Sequence, residues 1–437
     1  MSPLLLALVG GLAQADEGPV QASVHGDAKS FFFASFPYDH LLFVDDPADP
    51  TALTDPQADP SGQGLVSGRL KLEAAGWDRV KLDLHGILIA GAPGGGAGGG
   101  GFLQTGAGTP QAVDLTWEAV SGAGLDAFGR VDRATLSVAL DGVDLTLGRQ
   151  PVTLGRALIF TPWDLVGPFS PTVVDQEYKP GVDAARVDAY VGMATQFTAI
   201  AAYGAPEPGD WAPGGLVVVG TGQTTVGVWD LGLMGGSVHG DTVFGGSLAG
   251  AAGPVGLHLE GTFTLPAEGA GPDGADEDPF ARVVAGAMHS FGDLTLSGEA
   301  YYQGNGAAEP GAYLVQATSE RYARAELWAW GQWYGAASAS WQAFPRLGGN
   351  LALIANLADP SALVAPSLSW SVSGESDLSL GAYVGLGARP DDVTLQTLLD
   401  AGLGPGSTEA DVLGAMPVNS EYGLIPATAF ASWRAYF

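Results

Sequence analysis

Chemistry in this chain would have to come from few side chains. Its 437 residues carry 17 Lys and Arg against 47 Asp and Glu, with 6 His and no Cys. Two of the scarce arginines, Arg149 and Arg156, lie in "LGRQPVTLGRALIFTPWDL" (Leu147–Leu165), each directly after a glycine, with Trp163 and Asp164 close behind. Such a set can clamp an anion, line a passage or close a structural corner. Catalysis would need partners elsewhere, and none is legible. The histidines at 25, 40, 85, 239, 258 and 289 form no His-x-His or His-Glu-x-x-His pattern. "GAPGGGAGGGGF" at 91–102 lacks the Gly-Lys-Ser/Thr of a phosphate loop, and no Gly-x-Ser-x-Gly elbow occurs. Without Cys there is no thiolate ligand, Cys nucleophile or disulfide. The acidic loops lack EF-hand spacing, so neither cofactor nor metal is expected, and the chain reads as a non-enzyme.

The elements that must position these residues follow from composition. Charged residues are 15% of the chain, well under the roughly 25% usual for soluble domains. Glycine reaches 67 residues, yet no run approaches the roughly 18 to 20 apolar residues of a spanning helix. A chain that is apolar overall, Gly-rich and weakly charged is what a transmembrane β-barrel requires, because lipid-facing residues then occupy every second position. The competing class is a secreted, soluble all-β protein with a binding or structural role. A formal net charge of −30 argues against nucleic-acid binding, which needs basic patches. The acidity collects in Asp39–Pro60 and Leu265–Pro279, both rich in loop-forming Pro, Gly and Asp. At the N-terminus, Leu4–Leu12 is a short apolar core followed by Ala13-Gln14-Ala15 and two acids. Residues 1–15 are therefore expected to be a secretory signal, although one without a basic n-region, and 16–437 a single barrel domain.

Period-2 segments support the barrel. In "GRLKLEAAGWDRVKLDLHGILI", Leu70, Leu72 and Ala74 alternate with Arg69, Lys71 and Glu73. Beyond a short turn, Val80, Leu82 and Leu84 alternate with Arg79, Lys81, Asp83 and His85. Asp141-Gly142 marks a tight hairpin. Counting the strand-like runs, Thr225–Leu233 and Tyr322–Trp330 among them, predicts an all-β, antiparallel up-and-down transmembrane barrel of about 18 strands (16–18), each roughly long enough to cross a bilayer when tilted. Long connections are expected at 39–63, 91–130, 150–181 and 388–424, alternating with short ones over the early strands. After Gly204 the alternation breaks. Either Leu216–Val219 is an extra strand, or a long loop near 265–280 lies on the short-turn side. The stretch from Asp391 is helical in flavour, with Thr408 and Asp411 resembling a capping box.

In such a barrel the polar positions face the lumen. Arg69, Lys71, Glu73, Arg79, Lys81 and Asp83 would line its early wall, with His85 on the same face, and Arg133, Arg186 and Asp188 would join them. That wall is rather basic although the protein is acidic, so net charge should be a poor guide to ion selectivity. In the loop after Gln150, the side chains of Arg156, Trp163 and Asp164, and of Asp175, Glu177 and Lys179, would form a constriction if the loop folds inward, or a cap if it does not. Arg149 shares the apolar face of Val143, Leu145 and Leu147. It would be an anchor at headgroup level, unless a bulge at Gly148 turns it inward.

The last residues, "ATAFASWRAYF", set Trp433 and Phe437 on one face and Arg434 and Tyr436 on the other. A final strand ending in Phe resembles the assembly signal of bacterial outer-membrane proteins. "LGRQPVTLGRALIFTPWDL", leading to "DQEYKPGVDAARVDAYVG", is similar to a region of porin-like and alginate-export-like barrels, where a Gly-Arg-Gln strand end enters a long loop. These resemblances imply a porin of a Gram-negative outer membrane. Trp433, Tyr436 and Phe437 would be read by the barrel-assembly machinery, with lipid and lipopolysaccharide around the wall. Small hydrophilic solutes would cross by passive diffusion. The alginate-export likeness implies an alternative, a substrate-specific channel for anionic saccharides.

Overall fold

The computed structural model describes residues 20–437 apart from 38–42, 45–52, 55–59, 77–78, 92–110, 123, 171–172, 205–212, 272–275, 317–318, 325, 392–400 and 403–408. The expected secretory signal and Thr408 lie outside the described residues. Alternating apolar and small or polar residues build eighteen barrel strands. The first half comprises β1 (Val20–Phe36), β2 (Ser61–Gly76), β3 (Val80–Gly91), β4 (Leu125–Leu140), β5 (Val143–Gln150), β6 (Val182–Val191), β7 (Thr195–Tyr203), β8 (Leu216–Val226) and β9 (Trp229–Val238). The second comprises β10 (Asp241–Ala252), β11 (Val255–Leu265), β12 (Phe280–Phe291), β13 (Leu294–Gln303), β14 (Trp333–Phe344), β15 (Leu347–Asn356), β16 (Ser361–Ser373), β17 (Ser376–Leu386) and β18 (Ala427–Tyr436). Neighbours in sequence pair antiparallel, and β18 closes on β1 from Asp27↔Tyr436 to Phe36↔Ala427. Closure leaves the ring of these eighteen strands without a free edge.

Every connection after an even-numbered strand is two or three residues long, so one end of the barrel carries only tight turns. The other end carries the long connections, with short exceptions at 239–240 and 357–360. This resolves the break in alternation after Gly204. The run Thr225–Leu233 is no single strand: Gly227 and Val228 turn β8 into β9, and the left-handed φ of 64° at Gly227 is reached without the Asn or Asp that would have marked the turn. Tyr322–Trp330 is not a strand either. It begins in a helical turn (Glu320–Ala323), its described residues belong to no sheet, and it buries Leu327 and Ala329, the latter against inward residues of the barrel such as Tyr301 and Tyr334. One missed hairpin and one false strand cancel, so the expected count of eighteen stands. The connection at 266–279 lies on the long-loop side. β4 begins at Leu125, earlier than the expected loop 91–130 allowed, and a short strand, Thr116–Gly122, pairs along its upper edge.

Outward residues such as Leu70, Leu82, Leu88 and Leu147 are more than 40% exposed. Trp341, Trp370, Trp433 and Phe291 gather at the tight-turn end, the arrangement of an aromatic girdle at a membrane interface. The interior is less regular. In the long-loop half, inward positions are apolar too: Phe31, Phe33 and Phe430 meet Phe160, Tyr301 and Tyr334 in one cluster. Ile200, Val219 and Met234 meet Val152, Leu154 and Trp163 in another. Burying each such side chain contributes about 1.5–3 kcal/mol, so the connections are part of the packed fold.

Candidate functional site: a loop held across the lumen

The connection 151–181 runs inside the barrel, fixed at both walls. On the far wall, two carboxylates take the loop's backbone N–H groups in place of water. Glu260 on β11 accepts from Arg156 at 2.8 Å and Trp163 at 3.0 Å. Glu299 on β13 accepts from Leu158, Ile159 and Phe160 at 2.7, 3.1 and 2.9 Å, with His258 Nε2 at 2.8 Å. Both carboxylates are buried, where charge-assisted hydrogen bonds are strong. Trp163 is buried and donates its indole N–H to the Gly261 carbonyl at 3.0 Å. It fits because the wall is bare there: a Cβ on Gly245 would lie 2.7 Å from the indole nitrogen, and one on Gly232 2.9 Å from the ring. Gly245→Val should expel the indole and cost about 3–5 kcal/mol. A lowered temperature for the shift in heat-modifiable gel migration would register it.

The other end of the loop meets β1 and β18. Lys29 pairs with Asp175 and Glu177, both at 2.8 Å, and Tyr436 donates to Glu177 at 3.2 Å. Burial opposes ionisation of Glu177, but the Lys29 ammonium holds its carboxyl below the usual range. Burial, and then the neighbouring Glu177, push the Tyr178 hydroxyl up, so it stays neutral. The Tyr178 ring is faced by four cations, Arg69, Lys71, Lys29 and Arg133, at 4.3, 4.4, 5.0 and 5.6 Å. Lys179 and Asp164 form a buried 2.7 Å pair that ties the loop's two arms. Arg156 reaches Asp230 and Gln223 on the opposite side.

The early wall differs from its sequence reading in charge balance. Arg69 pairs with Asp132 at 2.5 Å, Lys71 with Asp27 at 3.3 Å, Lys81 with Asp83 at 2.9 Å and Arg186 with Asp188 at 2.6 Å. Glu73 lies 3.7 Å from Lys81. The wall is therefore largely self-neutralised and not basic. Asp132 escaped the alternation because a bulge between His85 and Gly86 on β3 sets one extra β4 residue beside Arg133. Arg133 makes no ion pair with a described residue. Arg79 sits at the exposed tight-turn end beside Asp141, where it borders the charged cavity at its rim. Arg149 is neither a headgroup anchor nor turned into the lumen. It is 1% exposed, bidentate on Asp183, and bonded to the carbonyls of Val113 and Val131, pinning the segment at Val113 over the ends of β5 and β6. Trp433 and Phe437 point outward and are exposed.

Glu260, Glu299, Asp27 and Lys29 were missed. A signal existed for the first two, since each is a lone acid inside an otherwise uncharged strand, in "GLHLEGTF" and "TLSGEAYY". The loop borders a cavity of about 850 Å³ lined on its strand side by Lys81, Asp83, His85, Arg133, Arg186 and Asp188.

A closed barrel of eighteen strands, apolar outside and carrying a loop folded into its lumen, has the architecture of a transmembrane porin. No family model matches the chain, and no curated protein matches its sequence. Among solved structures it is similar to a BenF-like porin from Pseudomonas fluorescens Pf-5, with a TM-score of 0.57 and 9% identity over 95% of this chain and 98% of that one. Acinetobacter baumannii OccAB1 matches at 0.58 and 10% identity, over 96% and 98% of the two chains. The outer membrane protein opdK from Pseudomonas aeruginosa matches at 0.55 and 11%, over 95% and 98%. At such identities the likeness establishes a shared fold.

Proposed function

We propose that the protein is an outer-membrane porin of a Gram-negative-type bacterium, passing small hydrophilic solutes by passive diffusion through a lumen narrowed by 151–181, without catalysis. The supporting observation is the loop itself, held by Glu260 and Glu299 on one wall and by Lys29 on the other. Lipid and lipopolysaccharide would surround the apolar belt, and the barrel-assembly machinery would read the strand that ends in Tyr436 and Phe437. Liposomes carrying the refolded, heat-modifiable barrel should swell in sugars and slow as the sugars grow. No swelling by a folded barrel would overturn the reading.

A narrower reading, selectivity for anionic solutes, draws on the cations around Tyr178 and on the neighbour opdK, which is also solved with vanillate. Because these cations are mostly paired, the expected reversal potential in a salt gradient is near neutral to weakly anion-preferring. Strong cation preference, as the net charge of −30 alone would suggest, would contradict it.

A further inference from the structure

The lumen has a second wall unlike the first. In the tight-turn half of β13–β17, inward positions carry hydroxyls and an amide: Ser297 bonds Ser338 at 2.7 Å, Asn350 bonds Ser340 at 2.7 Å, and Ser369 faces Ser379 across β16 and β17. A cavity of about 720 Å³ lies between this wall and the loop; β14–β17 bring no charged side chain to it, and its charged lining residues, Asp164, Glu177 and Arg434, already face Lys179, Lys29 and Asp175. At Ile159, Thr161, Phe169 and Ile354 it adjoins a further cavity of about 480 Å³ among the long connections. There, Phe160 stacks on Tyr301 at 4.5 Å, and Tyr322 and Trp330 lie 6.3 Å apart. The polar edge of this second cavity includes Gln303, Glu421 and the mutually paired Arg282 and Glu326. Burial pushes the Glu421 carboxyl up to about 7, while Asn356 donates to it at 2.7 Å. Neither cavity shares a lining residue with the charged one against β3–β6.

We propose that this side is a second passage, taking uncharged polyhydroxylated solutes of the saccharide class, while charged solutes follow the wall of Arg133 and Arg186. The inference rests on the porin reading. Rings offer flat apolar faces to the C–H surfaces of a sugar, and Ser and Asn exchange hydrogen bonds with its hydroxyls as water is shed. A charged solute finds no counter-charge along β14–β17 and would give up hydration there without compensation.

Glucose and gluconate make the test, because they match in size and hydroxyl content but differ by a carboxylate. Ser338→Trp, which fills the hydroxyl side, should more than halve the liposome swelling rate in glucose and leave the rate in gluconate nearly unchanged. Arg133→Glu should do the reverse. Ala352→Trp, opposite Ser338 on β15, repeats the block should Ser338→Trp fail to assemble, and each variant is scored as a heat-modifiable barrel. Equal losses of both solutes in the tryptophan variants, or an equal effect of Arg133→Glu on both, would show one shared lumen and overturn the proposal. A wild-type barrel that passes neither solute would instead overturn the porin reading.

Discussion

Alanine in place of both Glu260 and Glu299 should raise single-channel conductance severalfold, because these two side chains hold residues 156–163 against the far wall. Five backbone N–H groups, of Arg156, Leu158, Ile159, Phe160 and Trp163, end on the two carboxylates. Leaving a buried donor without its acceptor costs about 1–3 kcal/mol per group, so holding the loop in place without them becomes unfavourable. Burial of Trp163 and Phe160 opposes release, and each aromatic contributes about 3 kcal/mol or somewhat more. The carboxylates outweigh either ring alone, which is why both must go for the full effect. The single variants Glu260→Ala and Glu299→Ala should give intermediate steps, with new protease cleavage between Gly155 and Pro168. Unchanged conductance together with unchanged cleavage in the double variant would show that apolar packing alone fixes the loop.

Much of this architecture is legible in the amino-acid sequence. Strict alternation in Arg69–Ala74 and Val80–His85 identified the barrel, because these strands meet lipid on one face and water on the other. The same logic failed where loops fill the lumen. Phe31, Phe33, Ile200 and Val219 point inward yet are apolar, since they pack on the loops and not on water. Parity also cannot show a bulge, so Arg133 was legible and its neighbour Asp132 was not. Pairing was the larger loss. Lys29 meets Asp175 from 146 residues away, a separation no local pattern encodes. The wall that looked basic is neutral because Asp132 and Asp27 reach Arg69 and Lys71 from other strands, beside the local pairs Lys81–Asp83 and Arg186–Asp188. The Trp-Asp pair at 163–164 and Lys179 were read as parts of one loop, but the glycine-bared wall at Gly245 that receives the Trp163 ring belongs to a strand that only the closed fold brings to it.

Asp175→Asn combined with Glu177→Gln should turn a nearly neutral channel into an anion-preferring one. The loop's two carboxylates are the partners of Lys29, and Asp175 also lies 3.8 Å from Arg434. Neutralising them leaves Lys29 unpaired by the loop and adds two units of positive charge beside Arg69, Lys71 and Arg133. The reversal potential should move toward the anion side in dilute salt. It should move back in concentrated salt, because the screening length falls from about 10 Å at 0.1 M to about 3 Å at 1 M. The wild-type barrel offers an internal control through pH. The Glu177 carboxyl is held below its ordinary 4.5, so its contribution is intact above that value and is lost only as the pH falls through the lower, folded one. The Glu177 contribution to wild-type selectivity should therefore be constant at neutral pH and fade toward the double variant only in acid below 4.5. A purely structural role makes a different forecast: breaking a buried pair costs about 3–5 kcal/mol, which would lower thermal stability without moving the reversal potential. Adding Lys29→Gln to the double variant separates the two. Removing the freed cation should return the potential about half of the way to wild type if charge is the cause, and should leave it where it was if the segment 173–178 has simply come loose.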